Sequence, residues 1–327
     1  MNNSLISTIT LNPSLDQHLT VDGLVVDGPN RWSRLHRYAG GKGIDVSRAI
    51  HEMGGRTIAY GFIGGMVGRA VEIFLDEEGV PFSFTPVKGE TRTNFIITDS
   101  KTTHQTRIDA PGPYITKGEF ARFERKMQRL RPSPDLIVVG GSAPPGIPNN
   151  VYYSIAMEAK SFGVRTILDA DAQWLVEGIK AKPYLVKPNV REAEELLKRE
   201  LPDEAAIIKA ARDIVGMGIE IAVISRGKDG IIAATRDKVI RAVPPEVKVK
   251  STVGAGDCTI AGLALKLAGE ELLTRACRLA VALGTAAVLT PGTELARRAD
   301  VEELLPKIKV QNITKQLKKT LSIAKTS

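Results

Sequence analysis

Short β-branched runs alternate along the chain with segments of helical length whose apolar residues recur every three or four positions. Strand-like residues 6–11, 56–62 and 136–139 are each followed, directly or after an excursion, by helix-like residues 44–53, 67–78 and 151–162. Downstream, residues 164–168, 184–186 and 221–224 read as buried strands, and residues 192–199, 204–217 and 259–268 as helices. Strands apolar on both faces, separated by helix-length crossovers, predict a doubly wound α/β core: a mostly parallel sheet flanked by helices.

Two regions break the alternation, residues 17–38 and 82–109. In the second, residues 92–98 and 104–108 read as paired strands with no helix between them. A small antiparallel β-sheet built from both excursions would form a lid able to close over a site. With no internal repeat or low-complexity linker, the expected organisation is one domain over residues 1–306 with the lid inserted, followed by a basic tail over residues 307–327.

Composition narrows the function classes. No stretch approaches the roughly 18 apolar residues that would span a bilayer, and the polar first residues do not form a secretory signal, so the expected location is cytoplasmic. Cys258 and Cys277 are too few for a disulfide framework or a zinc cluster and read as small buried residues. Lys307, Lys309, Lys315, Lys318, Lys319 and Lys325 supply six of the net +8 charges, so the body lacks the basic balance of a nucleic-acid binder. In the tail, Val310, Ile313, Leu317 and Leu321 recur at helical spacing, as in a terminal helix docked on the body, left solvated, or laid on a membrane or partner.

The candidate chemistry lies where strands end. Asn12, Gly140-Gly141-Ser142, Lys187-Pro188-Asn189, Ser225-Arg226-Gly227 and Gly254-Ala255-Gly256-Asp257 each follow an expected strand, and ligands of open α/β sheets bind beyond the carboxyl ends of strands. Each cluster alone also reads as an ordinary turn. Gly254 and Gly256 let consecutive amides of Ala255, Gly256 and Asp257 converge on an anion at a helix start. Asp257 there could take a proton from a hydroxyl or merely cap the helix. Asn189 and Glu192, three residues apart, could present one polar face or form a capping pair.

These segments resemble the PfkB branch of the ribokinase-like family, over residues 8 to about 304. Thr10-Leu11-Asn12-Pro13-Ser14-Leu15-Asp16 resembles its first strand with the sugar-binding Asp, Gly40-Gly41-Lys42-Gly43 its sugar loop, and Gly140-Gly141-Ser142-Ala143-Pro144-Pro145-Gly146 its central Gly-Ser-Leu-Pro-Pro-Gly. Ser251-Thr252-Val253-Gly254-Ala255-Gly256-Asp257 is similar to its C-terminal motif, most strongly in the hexose-phosphate subgroup of phosphofructokinases and tagatose-6-phosphate kinases. The resemblance implies an ATP-dependent phosphotransferase acting on a sugar phosphate, with Asp257 as base and Gly254, Ala255 and Gly256 as anion hole. It implies sugar-phosphate contacts from Asp16, Gly40, Gly41, Lys42, Asp45, Arg92, Arg107 and Ser142. It implies ATP contacts from Lys187, Asn189, Ser225, Gly227, Thr252, Gly254, Gly256 and Gly284, with Mg²⁺ organised through water by Asn189 and Glu192. Its implied partners are ATP and a small sugar phosphate, and a second copy of the chain in a homodimer through the lid.

Two positions depart from the subgroup: Asp45 stands where Asn is usual, and Arg226 where Leu is usual. An Asp accepts hydrogen bonds without donating them when ionised, and repels a phosphate. Competing readings lack their motifs. No Gly-x-x-x-x-Gly-Lys-Ser/Thr occurs, Gly61 to Gly68 lacks dinucleotide-site spacing, and Ser142 lacks the second glycine of a nucleophile elbow. A binding-only regulator on the same fold would have no need of the Asp257 carboxylate.

Overall fold

The computed structural model describes residues 3–314. From β1 (Leu5–Thr10) the chain enters the lid through β2 (Ser14–Val21) and β3 (Trp32–Gly40), and returns through α1 (Lys42–Glu52) to β4 (Arg56–Ile63). After α2 (Gly65–Glu78) and β5 (Phe82–Pro86), it re-enters the lid as β6 (Arg92–Asp99) and β7 (Gln105–Ile108). There follow α3 (Lys117–Met127), β8 (Leu136–Gly140), α4 (Val151–Ser161), β9 (Arg165–Asp169), α5 (Ala172–Gly178), β10 (Leu185–Val186), α6 (Val190–Leu197), α7 (Glu204–Gly216) and β11 (Ile221–Ser225). The remainder is β12 (Ile231–Ala234), β13 (Val239–Val243), α8 (Ala255–Leu267), α9 (Leu273–Ala287), α10 (Arg298–Leu304) and β14 (Lys309–Asn312).

Ten strands form the main sheet in the order β14-β13-β12-β11-β10-β9-β8-β1-β4-β5. From β11 to β5 every pair is parallel, and β12, β13 and β14 are added antiparallel. Alternate residues feed opposite cores, as period-two strands require. Leu136 and Val138 pack with α1, α8 and α9 on one face, and Ile137 and Val139 with α3, α4 and α7 on the other. Each fully buried side chain of this size contributes roughly 1.5–3 kcal/mol. The doubly wound, mostly parallel sheet expected from the pattern is what the chain forms.

The order reverses at β1, which lies between β8 and β4. A crevice therefore opens beyond the carboxyl ends of β1, β8 and β9. The lid roots there: β3-β2-β6-β7 form a four-stranded sheet, with the β2–β3 and β6–β7 pairs antiparallel and the central β2–β6 pair parallel.

Three expectations are corrected. The second excursion was expected to begin at residue 82, but β5 pairs in parallel with β4 at the edge of the main sheet and the lid resumes only at Arg92. Helix α8 starts at Ala255, four residues before its expected start, because left-handed Gly254 turns the chain directly into the helix. In the tail, Val310 lies in β14 rather than a helix, because the free edge of β13 supplies ladder partners to the chain. Ile313 is buried beside that strand, while Leu317 and Leu321 lie outside the described residues.

Candidate active site

All five strand-end clusters meet in one cavity of about 610 Å³ between the sheet crevice and the lid root. Asp16, Gly41, Lys42, Asp45, Arg92, Arg107 and Ser142 line its lid side. Lys187, Asn189, Glu192, Ser225, Thr252, Gly254, Gly256 and Asp257 line the rest.

On the lid side the chain is drawn tight around a carboxylate. Asp16 on β2 is buried and its Oδ1 accepts hydrogen bonds from Ser14 Oγ at 2.7 Å and Asn94 Nδ2 at 3.0 Å. Burial raises its carboxyl above the ordinary value, against these bonds and the charges of Arg92 and Arg107. Gly40 leaves the room Asp16 needs, since a Cβ there would come within 2.5 Å of its Oδ2. Arg92 donates Nη1–H to the Ala110 carbonyl at 2.8 Å, and its buried Nε has no hydrogen-bond acceptor among the described residues. Arg107 is exposed and leans on Asp109 at 3.3 Å.

Two lysines of the cavity meet two aspartates that the sequence reading missed. Lys187 is buried and lies 3.2 Å from Oδ1 of Asp169 at the end of β9. Lys42 lies 2.8 Å from Asp171 and 3.8 Å from Asp169. Burial opposes the Asp169 charge, but Lys187 and Lys42 hold its carboxyl below the ordinary value. Burial likewise opposes the charge of Lys42, and Asp169, Asp171 and Asp257 overcome it, holding the ammonium pKa above its ordinary value.

Asp257 stands in the first turn of α8, whose leading N–H groups have no acceptor within the helix, and it lines the cavity with Gly254 and Gly256. The enclosed site pushes its carboxyl up to about 7, chiefly by desolvation, with Lys42 and Lys187 opposing the rise and Asp169 adding to it. A carboxyl poised there can accept a proton near neutrality.

Asn189 and Glu192 form a reciprocal capping box at the start of α6. Asn189 Oδ1 accepts from Glu192 N–H at 2.9 Å, and Glu192 Oε2 accepts from Asn189 N–H at 2.8 Å. The cap thus occupies one carboxylate oxygen and leaves the other over. Burial raises the Glu192 carboxyl, the condition of an anion short of positive charge. Among the described residues, no three His, Cys, Asp or Glu side chains gather as a metal cage. This donor set fits a cation that keeps most of its waters, as Mg²⁺ does.

Four expected site residues do not line the cavity. Gly40 lies against Asp16, and Ala255 is the first residue of α8. Gly227 borders a separate 520 Å³ cavity with Asn189, Ser225 and Arg226. Gly284 packs α9 against α8, where a Cβ would come within 2.5 Å of Thr259 Oγ1. Arg226 is explained by one distant and one local partner: its guanidinium bonds Glu204 at 2.7 Å and the Asp229 carbonyl at 2.7 Å. Besides Asp169 and Asp171, the site includes Asn12, which donates to the Pro111 carbonyl and Ser142 Oγ, and Asn94. Asn12 was legible as a polar residue ending a strand; Asn94 closes the run that contains Arg92 but was not singled out.

Residues 9–299 match the family model described as pfkB family carbohydrate kinase. The chain is 34% identical over 309 residues to the 1-phosphofructokinase of Bacillus subtilis, covering 94% of this chain and all of that one. It is 36% identical over 279 residues to a tagatose-6-phosphate kinase of Staphylococcus epidermidis, covering 83% and 89%. Phosphofructokinase-2 from Escherichia coli, solved in complex with substrates and products, superposes with a TM-score of 0.89 at 33% identity, covering 92% and 98%. With a sheet, lid and cavity of this form and a match spanning most of its length, the chain belongs to the PfkB family of carbohydrate kinases.

Proposed function

We propose that this kinase transfers the γ-phosphoryl group of ATP to a hydroxyl of a phosphorylated ketohexose. The preferred reading is a phosphofructokinase, acting on fructose 1-phosphate or fructose 6-phosphate to give fructose 1,6-bisphosphate, with tagatose 6-phosphate as the neighbouring alternative. The observation that carries it is the cavity itself, which holds Asp257 at a helix N-terminus, a lid carboxylate at Asp16 and a lid guanidinium at Arg92. The names of the relatives at 34% and 36% identity support the same substrate class.

Arg92 and, beside it, Arg107 hold the phosphate already on the sugar, the fork of a guanidinium matching its oxygens. Asp16 accepts hydrogen bonds from sugar hydroxyls. Lys187 and the polar groups of Ser225 and Thr252 hold the triphosphate. Asn189 and Glu192 would hold Mg²⁺ through its waters, and the bound ion would offset phosphate charge. Asp257 takes the proton of the attacking hydroxyl; that oxygen bonds to the γ-phosphorus as the bridging P–O bond to ADP breaks. The N–H groups of Ala255, Gly256 and Asp257 stabilise the charge on the transferring group. Both substrates are charged metabolites of the cytoplasm, the location expected from the sequence. Pairing of two copies through the lid is supported by Trp32 and Ile108, exposed at 61% and 55% on lid strands; sedimentation of Trp32→Glu should give a lighter species than the parent if the lid is the contact.

The test is ADP release from ATP and Mg²⁺ with fructose 6-phosphate, fructose 1-phosphate, tagatose 6-phosphate, fructose and ribose. Turnover on one phosphorylated ketohexose establishes class and substrate, and silence on all five favours a binding-only protein or another acceptor. Arg92→Ala is expected to raise KM for the sugar phosphate at least about tenfold with KM for ATP little moved, since a charged hydrogen bond contributes roughly 1.5–3 kcal/mol. An unchanged sugar-phosphate KM would move the phosphate elsewhere. Turnover should also rise with pH through about 7, as Asp257 loses its proton and becomes competent as a base; a flat profile from pH 5 to 9 would remove it from that role.

A further inference from the structure

Asp45 lines the cavity one turn into α1, is 5% exposed, and has one ion-pair partner, Arg48, which it shares with other acceptors. The nearest cation is Arg48, whose Nη1 lies 3.4 Å from Asp45 Oδ1. That guanidinium is already committed. Its Nε and Nη2 donate to both oxygens of Glu78 at 2.7 and 2.8 Å, and the same Nη1 reaches the carbonyls of Ala39 at 3.2 Å and Thr293 at 3.1 Å. Arg48 therefore serves α2, the end of β3 and the loop after α9 before it serves Asp45.

The other groups facing Asp45 add no positive charge. Asp257 comes from α8 and Asp16 from β2, and both repel a carboxylate. Cys258 of α8 is buried and its thiol is held neutral by desolvation. Tyr38 of β3 lies against Arg48, its ring centroid 5.5 Å from the guanidinium carbon, and His18 of β2 is kept neutral by burial. Lys42, on the same helix, is spent on Asp171 and Asp169. Three carboxyls thus share the acceptor end of the cavity, and the lysines that favour ionisation act on Asp257 rather than on Asp45. When Asp257 ionises, its charge holds the proton on Asp45.

We propose that Asp45 works as a neutral carboxylic acid that donates its O–H to an oxygen of the bound sugar, making it a specificity-determining residue of the acceptor site. Burial among carboxyls, with Arg48 engaged by Glu78, pushes its carboxyl well above the ordinary range. A neutral donor reads a sugar oxygen as an amide does, and it spares Asp257 and the incoming phosphate a further negative charge.

The proposal rests on the sugar-phosphate reading for its ligand, so its test has one arm that needs no turnover. In infrared difference spectra of the unliganded protein at pH 8, wild type minus Asp45→Asn should show the C=O stretch of a protonated carboxyl. A carboxylate band in its place overturns the proposal whatever the substrate. In the kinetic arm, on whichever sugar phosphate is accepted, Asp45→Asn should leave the acid limb near pH 7 in place, because no charge has been removed beside Asp257. A shift of that limb to lower pH would mean that Asp45 is ionised, and would overturn the proposal. Asp45→Leu, of similar size but with no donor, should lose about tenfold or more in kcat/KM for the sugar phosphate relative to Asp45→Asn, with KM for ATP within about twofold. Equal activity of the two variants would overturn the donor role. If Asp45→Asn fails to fold, Asp45→Ser carries the same infrared and charge tests.

Discussion

Asp257→Asn is expected to lower turnover by roughly 10²–10⁴-fold while keeping the fold and the binding of ATP. Asn keeps the size and hydrogen-bonding reach of the side chain and removes only its ability to take a proton. The same substitution is expected to stabilise the protein, with a defined pH signature. In the folded chain the Asp257 carboxyl is raised from an ordinary 3.8 to about 7, so the unfolded chain releases this proton more readily than the folded one. The folded state is therefore penalised increasingly from about pH 4 upward, and fully above about pH 7. Removing the group should raise the unfolding free energy at pH 8 by about a few kcal/mol, read as a higher melting temperature, and leave it nearly level at pH 4. Such a gain on losing a functional carboxyl is the expected trade between activity and stability. Near-normal turnover in the folded variant, or equal melting shifts at both pH values, would contradict this account.

Lys187→Met is expected to harm both stability and nucleotide use. Lys187 and Asp169 are both 5% exposed and lie 3.2 Å apart. Without the lysine, Asp169 retains only Lys42 at 3.8 Å, itself engaged by Asp171. Breaking a buried pair from one side costs roughly 3–5 kcal/mol, because a charge is left desolvated. The sign follows from the depressed Asp169 carboxyl: its stabilisation is present above the unfolded-state value and is lost as the pH falls through the folded one. The loss on mutation should therefore be largest near pH 7 and should shrink as the pH falls below the ordinary carboxylate value. The double variant Lys187→Met with Asp169→Asn should recover most of the stability but not the affinity for ATP, which should fall at least about tenfold. Recovery of both together would mean that Lys187 is only structural.

Much of this was legible along the chain, and the limits have physical causes. The strand-end clusters could be found because glycines and polar residues interrupt apolar runs, and parallel topology sends every such interruption to the same edge of the sheet. Asp169 and Asp171 escaped notice because no glycine marks them; two acids after a strand read as a solvated turn until Lys187 and Lys42 are seen against them. Gly284 was expected at the nucleotide, and the sequence did not show that it also lies tight against Thr259 of α8. Arg48 lies mid-helix, where an arginine ordinarily faces water, yet it joins α1 to Glu78, Ala39 and Thr293 across as many as 245 residues of sequence.

The sequence by itself determined the doubly wound sheet, the two excursions that make the lid, and the residue types available for phosphoryl transfer. Those follow from local periodicity and from backbone conformations that glycine permits, both properties of neighbours along the chain. Only the tertiary structure decided which charges are neutralised and which are left alone. It joins Lys187 to Asp169 and Arg48 to Glu78, leaves Asp45 a shared contact with Arg48 at 3.4 Å, and sets Asp45 and Asp257 in one cavity. Proton affinity depends on desolvation and on charges within a few ångströms, and that environment does not exist until distant segments pack together.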